Sequence, residues 1–143
     1  MKKLLSICFL LVAIFLTGCE KNRLVCKYTD EEIKNLKSET KYIFSFNGET
    51  VKSATMTTKV TLSGDYNNQS FIDNYTTIAS SAASEYNSTE GVTATVTNNK
   101  NIVTLKVEME PAKMAAEDVE TYGLNLSKDE LKLELEESGY TCK

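Results

Sequence analysis

Between Val92 and Met109 the chain alternates apolar and polar residues on both sides of one polar cluster. Val92, Ala94 and Val96 alternate with Thr93, Thr95 and Thr97. After Asn98-Asn99-Lys100-Asn101, alternation resumes at Val103, Leu105, Val107 and Met109. Successive side chains of a strand point to opposite faces, so a two-residue period marks a strand with one buried face. A loop made of the polar cluster sets Val96 against Val103, Ala94 against Leu105 and Val92 against Val107. All the apolar residues then share one face. A lone hairpin is marginal in water, so another layer is needed to cover that face.

A second hairpin is predicted upstream. Tyr42, Phe44 and Phe46 alternate with Ile43 and Ser45, and Asn47-Gly48 follows. Both turn residues tolerate positive φ. The next strand, about Thr50 to Leu62, carries Ala54, Met56, Val60 and Leu62. A two-residue turn at Asn47-Gly48 would pair Phe44 with Val51 and put that set on the wrong face. A turn lengthened through Glu49, or a bulge near Lys52, restores a common face.

The covering layer is predicted between the hairpins. Ser63 to Asn68 form a turn cluster, and a helix runs from about Ser70 to Asn87. At helical spacing, Phe71, Ile72, Tyr75, Ile78, Ala79, Ala82 and Tyr86 fall within one arc of about 140°. The opposite side lacks lysine and arginine, which argues for packing on a sheet rather than on a membrane surface. Downstream, Pro111 suits the first turn of a short helix over Ala112 to Val119, ended by Tyr122-Gly123. Ser127 and Glu130 fit a capping box, and Gly139 fits a helix stop. Leu131, Leu133 and Leu135 alternate, so residues 127–138 also fit a strand, but the two end signals favour helix. The expected fold class is α+β: an antiparallel sheet built from two β-hairpins, a long amphipathic helix between them, and C-terminal helices packed on one face.

The first residues carry an address. Lys2 and Lys3 precede an apolar run from Leu4 to Leu16, too short for a spanning helix and of the length of an export signal. The run ends in Leu16-Thr17-Gly18-Cys19, which resembles a bacterial lipobox. The resemblance implies cleavage between Gly18 and Cys19 and lipidation of Cys19, with acyl chains such as palmitate. Two chains hold a protein stably to a bilayer where one does not. The alternatives are a plain secretory signal and an uncut membrane anchor. The implied organisation is a signal peptide over 1–18, a lipidated N-terminus and short tether over 19–25, and one α+β domain over 26–143. The implied location is the outer face of the bacterial cell membrane. Glu20 to Lys37 reads as polar and loop-like, with Thr29-Asp30-Glu31-Glu32 as a turn.

Loss of two signal lysines takes the formal charge from −4 to −6. An acidic chain with scattered lysines argues against nucleic acid as a partner, and no basic patch for an anionic membrane stands out. Two cysteines remain besides Cys19 and the discarded Cys8. Outside the cell such a pair usually forms a disulfide, so Cys26–Cys142 is expected; two free thiols near the termini are the alternative. Their separation excludes a CxxC redox motif.

The chain has no histidine, the residue most used for acid–base work at neutral pH. No Gly-rich phosphate loop is present, and two distant cysteines make a poor zinc site. Asp65, Asn67 and Gln69 have the spacing of a calcium loop, but Ser70 stands where glycine is needed and Thr76 where glutamate is needed. No cofactor and no metal are expected. Glu108, Glu110, Glu117 and Asp118 offer carboxylates for a hydrolytic pair; a solvated acidic face explains them more simply. The expectation is a non-catalytic binding or adaptor module with a protein, peptide or envelope partner. The alternative is a small carboxylate-based hydrolase of the cell envelope.

The order of elements, with Leu24-Val25-Cys26, Tyr42 to Val51, the Val103–Met109 strand and Glu137-Ser138-Gly139-Tyr140, resembles the YehR-like family of small bacterial lipoproteins. The match covers roughly residues 20–143. It implies fold and location, and it transfers no catalytic residue.

Overall fold

The computed structural model describes residues 22–143, so the expected signal peptide over 1–18 and the expected cleavage and lipidation residues Gly18 and Cys19 lie outside the described residues. Nine regular elements follow: β1 (Arg23–Asp30), β2 (Leu36–Asn47), β3 (Thr50–Leu62), α1 (Gln69–Tyr86), β4 (Val92–Asn99), β5 (Ile102–Met109), α2 (Ala116–Thr121), α3 (Lys128–Glu137) and β6 (Thr141–Cys142). The architecture is α+β, with one six-stranded antiparallel sheet in the order β4-β5-β3-β2-β1-β6.

Two of the six strands, β1 and β6, were not expected. Arg23, Leu24 and Val25 fall in the predicted tether, yet they open β1, with Arg23 opposite Ser45. The Asn22 carbonyl already accepts a hydrogen bond from the Phe46 N–H at 2.9 Å. The reason is an alternation hidden in a polar stretch: Leu24 and Cys26 point inward and are almost fully buried, while Arg23 and Lys27 point to solvent. β2 likewise begins at Leu36 rather than Tyr42.

Around Asn47-Gly48, Phe46 lies opposite Val51 and Phe44 opposite Ala54, which leaves Lys52 as the extra residue of a bulge. The bulge brings Val51 onto the same buried face as Ala54 and Met56. In β4 and β5, Val96 faces Leu105 rather than Val103, because the turn shrinks to Lys100-Asn101. Lys100 adopts φ 58° there. Asn101 fixes this turn to the end of β3: its side-chain amide donates to the Leu62 carbonyl at 2.7 Å, and its carbonyl accepts from the Leu62 N–H at 2.9 Å. A shift of two residues leaves the inward face unchanged.

α1 starts at Asn68, whose side chain accepts from the Phe71 N–H. Its end is tied to β4 by Asn87, whose amide bonds both the N–H and the carbonyl of Ala94, at 2.8 and 3.0 Å. The expected packing arc needs correction. Ile72 is buried, but Ile78 is 56% exposed and Phe71 39% exposed. The covered stripe is Ile72, Thr76, Ala79, Ala83 and Tyr86, rotated by about one residue. Thr76 is tolerated in it because its hydroxyl donates to the Ile72 carbonyl at 2.7 Å.

The helix expected over Ala112 to Val119 is broken in two. A 3-10 turn spans Pro111–Lys113, Met114 and Ala115 are extended, and α2 follows. The break lets Met114 lie over Gly91, where a Cβ would stand 2.7 Å from the Met114 Cγ. Gly91 has φ +81°, so a side chain there is strained as well as crowded.

α3 carries a complete capping box between Ser127 and Glu130. At its other end the Gly139 N–H bonds Glu136 and the Tyr140 N–H bonds Leu135, the two bonds of a Schellman stop. Leu131 and Leu135 turn inward while Leu133 is 59% exposed, so the leucine alternation is incidental to a helix. Gly139, at φ +91°, turns the chain into β6 along the edge of β1.

The buried residues of all six strands fall on one face of the sheet, where they pack with Ala83, Leu124 and Leu131 from the helical layer. Among the described residues the other face is left uncovered and carries no buried side chain. No described helix is long and apolar enough to cross a membrane.

Candidate functional site

The helical layer leaves a groove of about 490 Å³ over β2, bordered by the segment from Glu120 to Leu126 and by α3. Its lining includes Tyr42 and Phe44 from β2, Tyr122 after α2, and Leu131 and Leu135 from α3. Glu120 and Glu134 stand at its rim.

The strand period explains the floor. Residues 42 and 44 share the covered face, and their rings stack with centroids 5.7 Å apart. Tyr140, turned back by the Gly139 stop, tilts onto Tyr42 at 5.6 Å, and Tyr28 meets Tyr140 at 5.4 Å. Tyr86 at the end of α1 meets Tyr122 at 6.2 Å. Two groups of tyrosines in ring contact thus lie on the helical side of the sheet, Tyr28–Tyr140–Tyr42 and Tyr86–Tyr122.

Burial pushes the Tyr42 phenol up to about 12, helped by the neighbouring phenols of Tyr140 and Tyr86. Tyr86 is raised by burial, then by Tyr122 and Glu85, and Tyr140 by burial and then Tyr28. At neutral pH these groups therefore stay protonated. They offer ring faces for stacking and hydroxyls for donating or accepting hydrogen bonds, and none is poised as a base. A pH dependence follows. A phenol with a folded-state value above its unfolded value contributes fully below the unfolded value, near 10. That contribution is lost as pH rises from there towards about 12. Tyrosinate absorbance should show Tyr42 ionising last, with stability falling across that window. Tyr42→Phe should flatten the fall; an unchanged profile would reject the assignment.

Cys26 and Cys142 lie directly opposite one another in β1 and β6 and form a disulfide. Reciprocal bonds between Val25 and Lys143, at 3.0 and 2.9 Å, continue the pairing. The four carboxylates have separate surroundings. Glu108 accepts from Lys106 at 2.8 Å on the uncovered sheet face, and Glu110 pairs with Lys113 at 2.9 Å. Glu117 and Asp118 sit in the first turn of α2. Among the described residues no group of three or more acidic or cysteine side chains could hold a metal ion.

A second surface was missed entirely by the sequence reading. On the uncovered sheet face a hollow of about 340 Å³ is lined by Lys27 and Thr29 of β1, Glu39, Lys41 and Ile43 of β2, and Thr57 and Lys59 of β3. These are odd-numbered residues of three adjacent strands. The signal is present as Lys37-x-Glu39-x-Lys41, but only the observed register brings Lys27 and Lys59 beside it.

No protein-family model and no curated protein matches the chain. A solved structure is similar, the NMR structure of a protein from Streptococcus pneumoniae TIGR4, with TM-score 0.54, 9% identity and 84% of each chain covered. At that identity the likeness concerns the fold alone.

Proposed function

We propose that this protein is a membrane-anchored extracytoplasmic bacterial lipoprotein, held by lipid on Cys19, that works as a non-catalytic binding or adaptor module. The observation that carries the binding reading is the tyrosine-floored groove between β2 and α3. Ring faces, phenolic hydroxyls and a pair of rim carboxylates suit a ligand with a flat or ring-shaped body and hydrogen-bonding edges, as a peptide or an envelope glycan has. The lipobox supports the anchor. With β1 starting at Arg23, residues 19–22 span at most about 14 Å, so the groove would stand close to the bilayer. Membership of the YehR-like lipoproteins belongs to the same reading, as does a description of the sheet as two hairpins, β2–β3 and β4–β5, flanking the amphipathic α1.

Two expected results test it. Cys19→Ala should abolish lipid labelling and leave unprocessed or mislocalised protein; normal labelling of that variant would remove the anchor from the proposal. Because the chain has no tryptophan, tyrosine dominates its fluorescence, and two of its seven tyrosines, Tyr42 and Tyr122, line the groove. Titration of the full chain in detergent with short peptides and with peptidoglycan fragments should change that emission, and Tyr122→Ala should weaken the response about tenfold. No response to either class counts against a groove ligand of this kind. A hydrolytic turnover lost on changing Glu108, Glu110, Glu117 or Asp118 would overturn the binding reading in favour of an envelope hydrolase.

A further inference from the structure

We infer that the uncovered sheet face is a second, separate binding site, and that its ligand is a phosphodiester-linked anionic polymer seated across Lys27, Lys41 and Lys59. The inference rests on an arrangement of charge that the fold does not use. Lys27 and Lys41 are direct partners on neighbouring antiparallel strands. Like charges in that position oppose sheet pairing. Yet neither lysine, nor Lys59, makes an ion pair or hydrogen bond among the described residues; the ion pairs of this face use Lys37 and Lys106 instead. The single carboxylate in the hollow, Glu39, is occupied by Lys37 at 3.5 Å. A chain with four more acidic than basic residues thus keeps two directly opposed cations, Lys27 and Lys41, without an ion pair in one depression, beside Lys59, which faces Glu39 across the strands.

The spacing fits a polymer with repeated charges. Directly opposed side chains stand about 5 Å apart and diagonal ones about 7–8 Å. Lys27 opposes Lys41, and Lys59 lies diagonally from Lys41 through its partner Thr57 and directly across from Glu39. One phosphate between the opposed lysines leaves Lys59 for the next. Hydroxyls of Thr29 and Thr57 line the same hollow and can donate to phosphate oxygens. Lysine acts as a compact point charge with rotatable donors, which suits phosphate; the planar fork that favours carboxylate pairs is absent. The recessed shape favours a strand lying in the hollow over a flat array of headgroups.

The test uses the full chain in detergent, with poly(glycerol phosphate) as the probe. Binding should weaken steeply as salt rises, because contacts to phosphate release counterions. The double variant Lys27→Ala/Lys41→Ala should lose about tenfold or more in affinity, whereas Lys52→Ala/Lys100→Ala, with the same change in net charge, should lose less than about twofold. Removing a like-charge pair should leave stability equal or higher, so unfolding does not obscure the result, and Lys59→Ala gives an independent single-site check. Equal losses in the two double variants would reduce the effect to overall charge and overturn the site. Equal affinity for polyglutamate would overturn the phosphate assignment. Binding to phosphatidylglycerol vesicles without binding to the soluble polymer would overturn it in favour of a lipid surface. Tyr122→Ala should leave polymer binding unchanged, which separates this proposal from the groove.

Discussion

Replacing both Cys26 and Cys142 with serine should remove about 4–5 kcal/mol of stability, a large share of what a domain of this size has. The bridged residues are 116 positions apart, so in the chain-entropy account the link restricts nearly the whole unfolded domain. Native contacts of the bridge add little of their own. β6 is two residues long and its pairing extends only through Val25 and Lys143. Without the link, this edge has few bonds to keep it in register and should fray first. Chemical denaturation with and without reductant is the measurement. The midpoint should fall on reduction, and the denaturant slope should rise as the unfolded chain expands. An unchanged midpoint would mean that the reduced unfolded state is already compact, and the entropic account would fail here.

The same bridge shows how far the sequence could be read. Pairing of Cys26 with Cys142 follows from the cysteine count and the compartment the sequence predicts, but the strands that present them do not. β6 is too short to carry a period, and it exists because the Gly139 stop aims the chain at the edge of β1. β1 itself alternates, but Lys27, Thr29 and Asp30 make it polar enough to pass for a loop. Strong alternation survives errors of register. In β4 and β5 the observed turn is two residues shorter than the polar cluster predicts, and the buried face is unchanged, because the period of a strand is two. Between β2 and β3 a slip of one would have turned the face over, and the bulge at Lys52 prevents it.

The two candidate surfaces were hidden for different reasons. The groove assembles Tyr42, Tyr122 and Leu131 from three distant segments, which no local spacing connects. The lysine hollow depends on which strands are neighbours, and the order β3-β2-β1 cannot be deduced from periodicity. Cysteines, caps and the glycine stop were legible because each acts over a few residues or has a single possible partner. Pairings across the sheet were not, because many registers and orders satisfy the same alternation.

Ile72→Asp should cost about 3 kcal/mol or more, while Ile78→Asp should stay within about 1 kcal/mol. Six residues separate the two on α1, and sequence periodicity gives both to the same packing arc. In the fold, Ile72 is only 8% exposed and belongs to the stripe that covers β4 and β5, whereas Ile78 is 56% exposed. A carboxylate at 72 would have to enter the buried interface between α1 and the sheet. At 78 the same carboxylate stays in water and loses little beyond helix propensity. Denaturation of the two variants separates the interface from the helix itself, since both carry the same substitution on the same element. Equal losses would put the interface back on the arc that includes Phe71 and Ile78. A large gap, with Ile72→Asp the weaker protein, would fix the rotation of α1 on the sheet and with it the position of Tyr86 beside the groove.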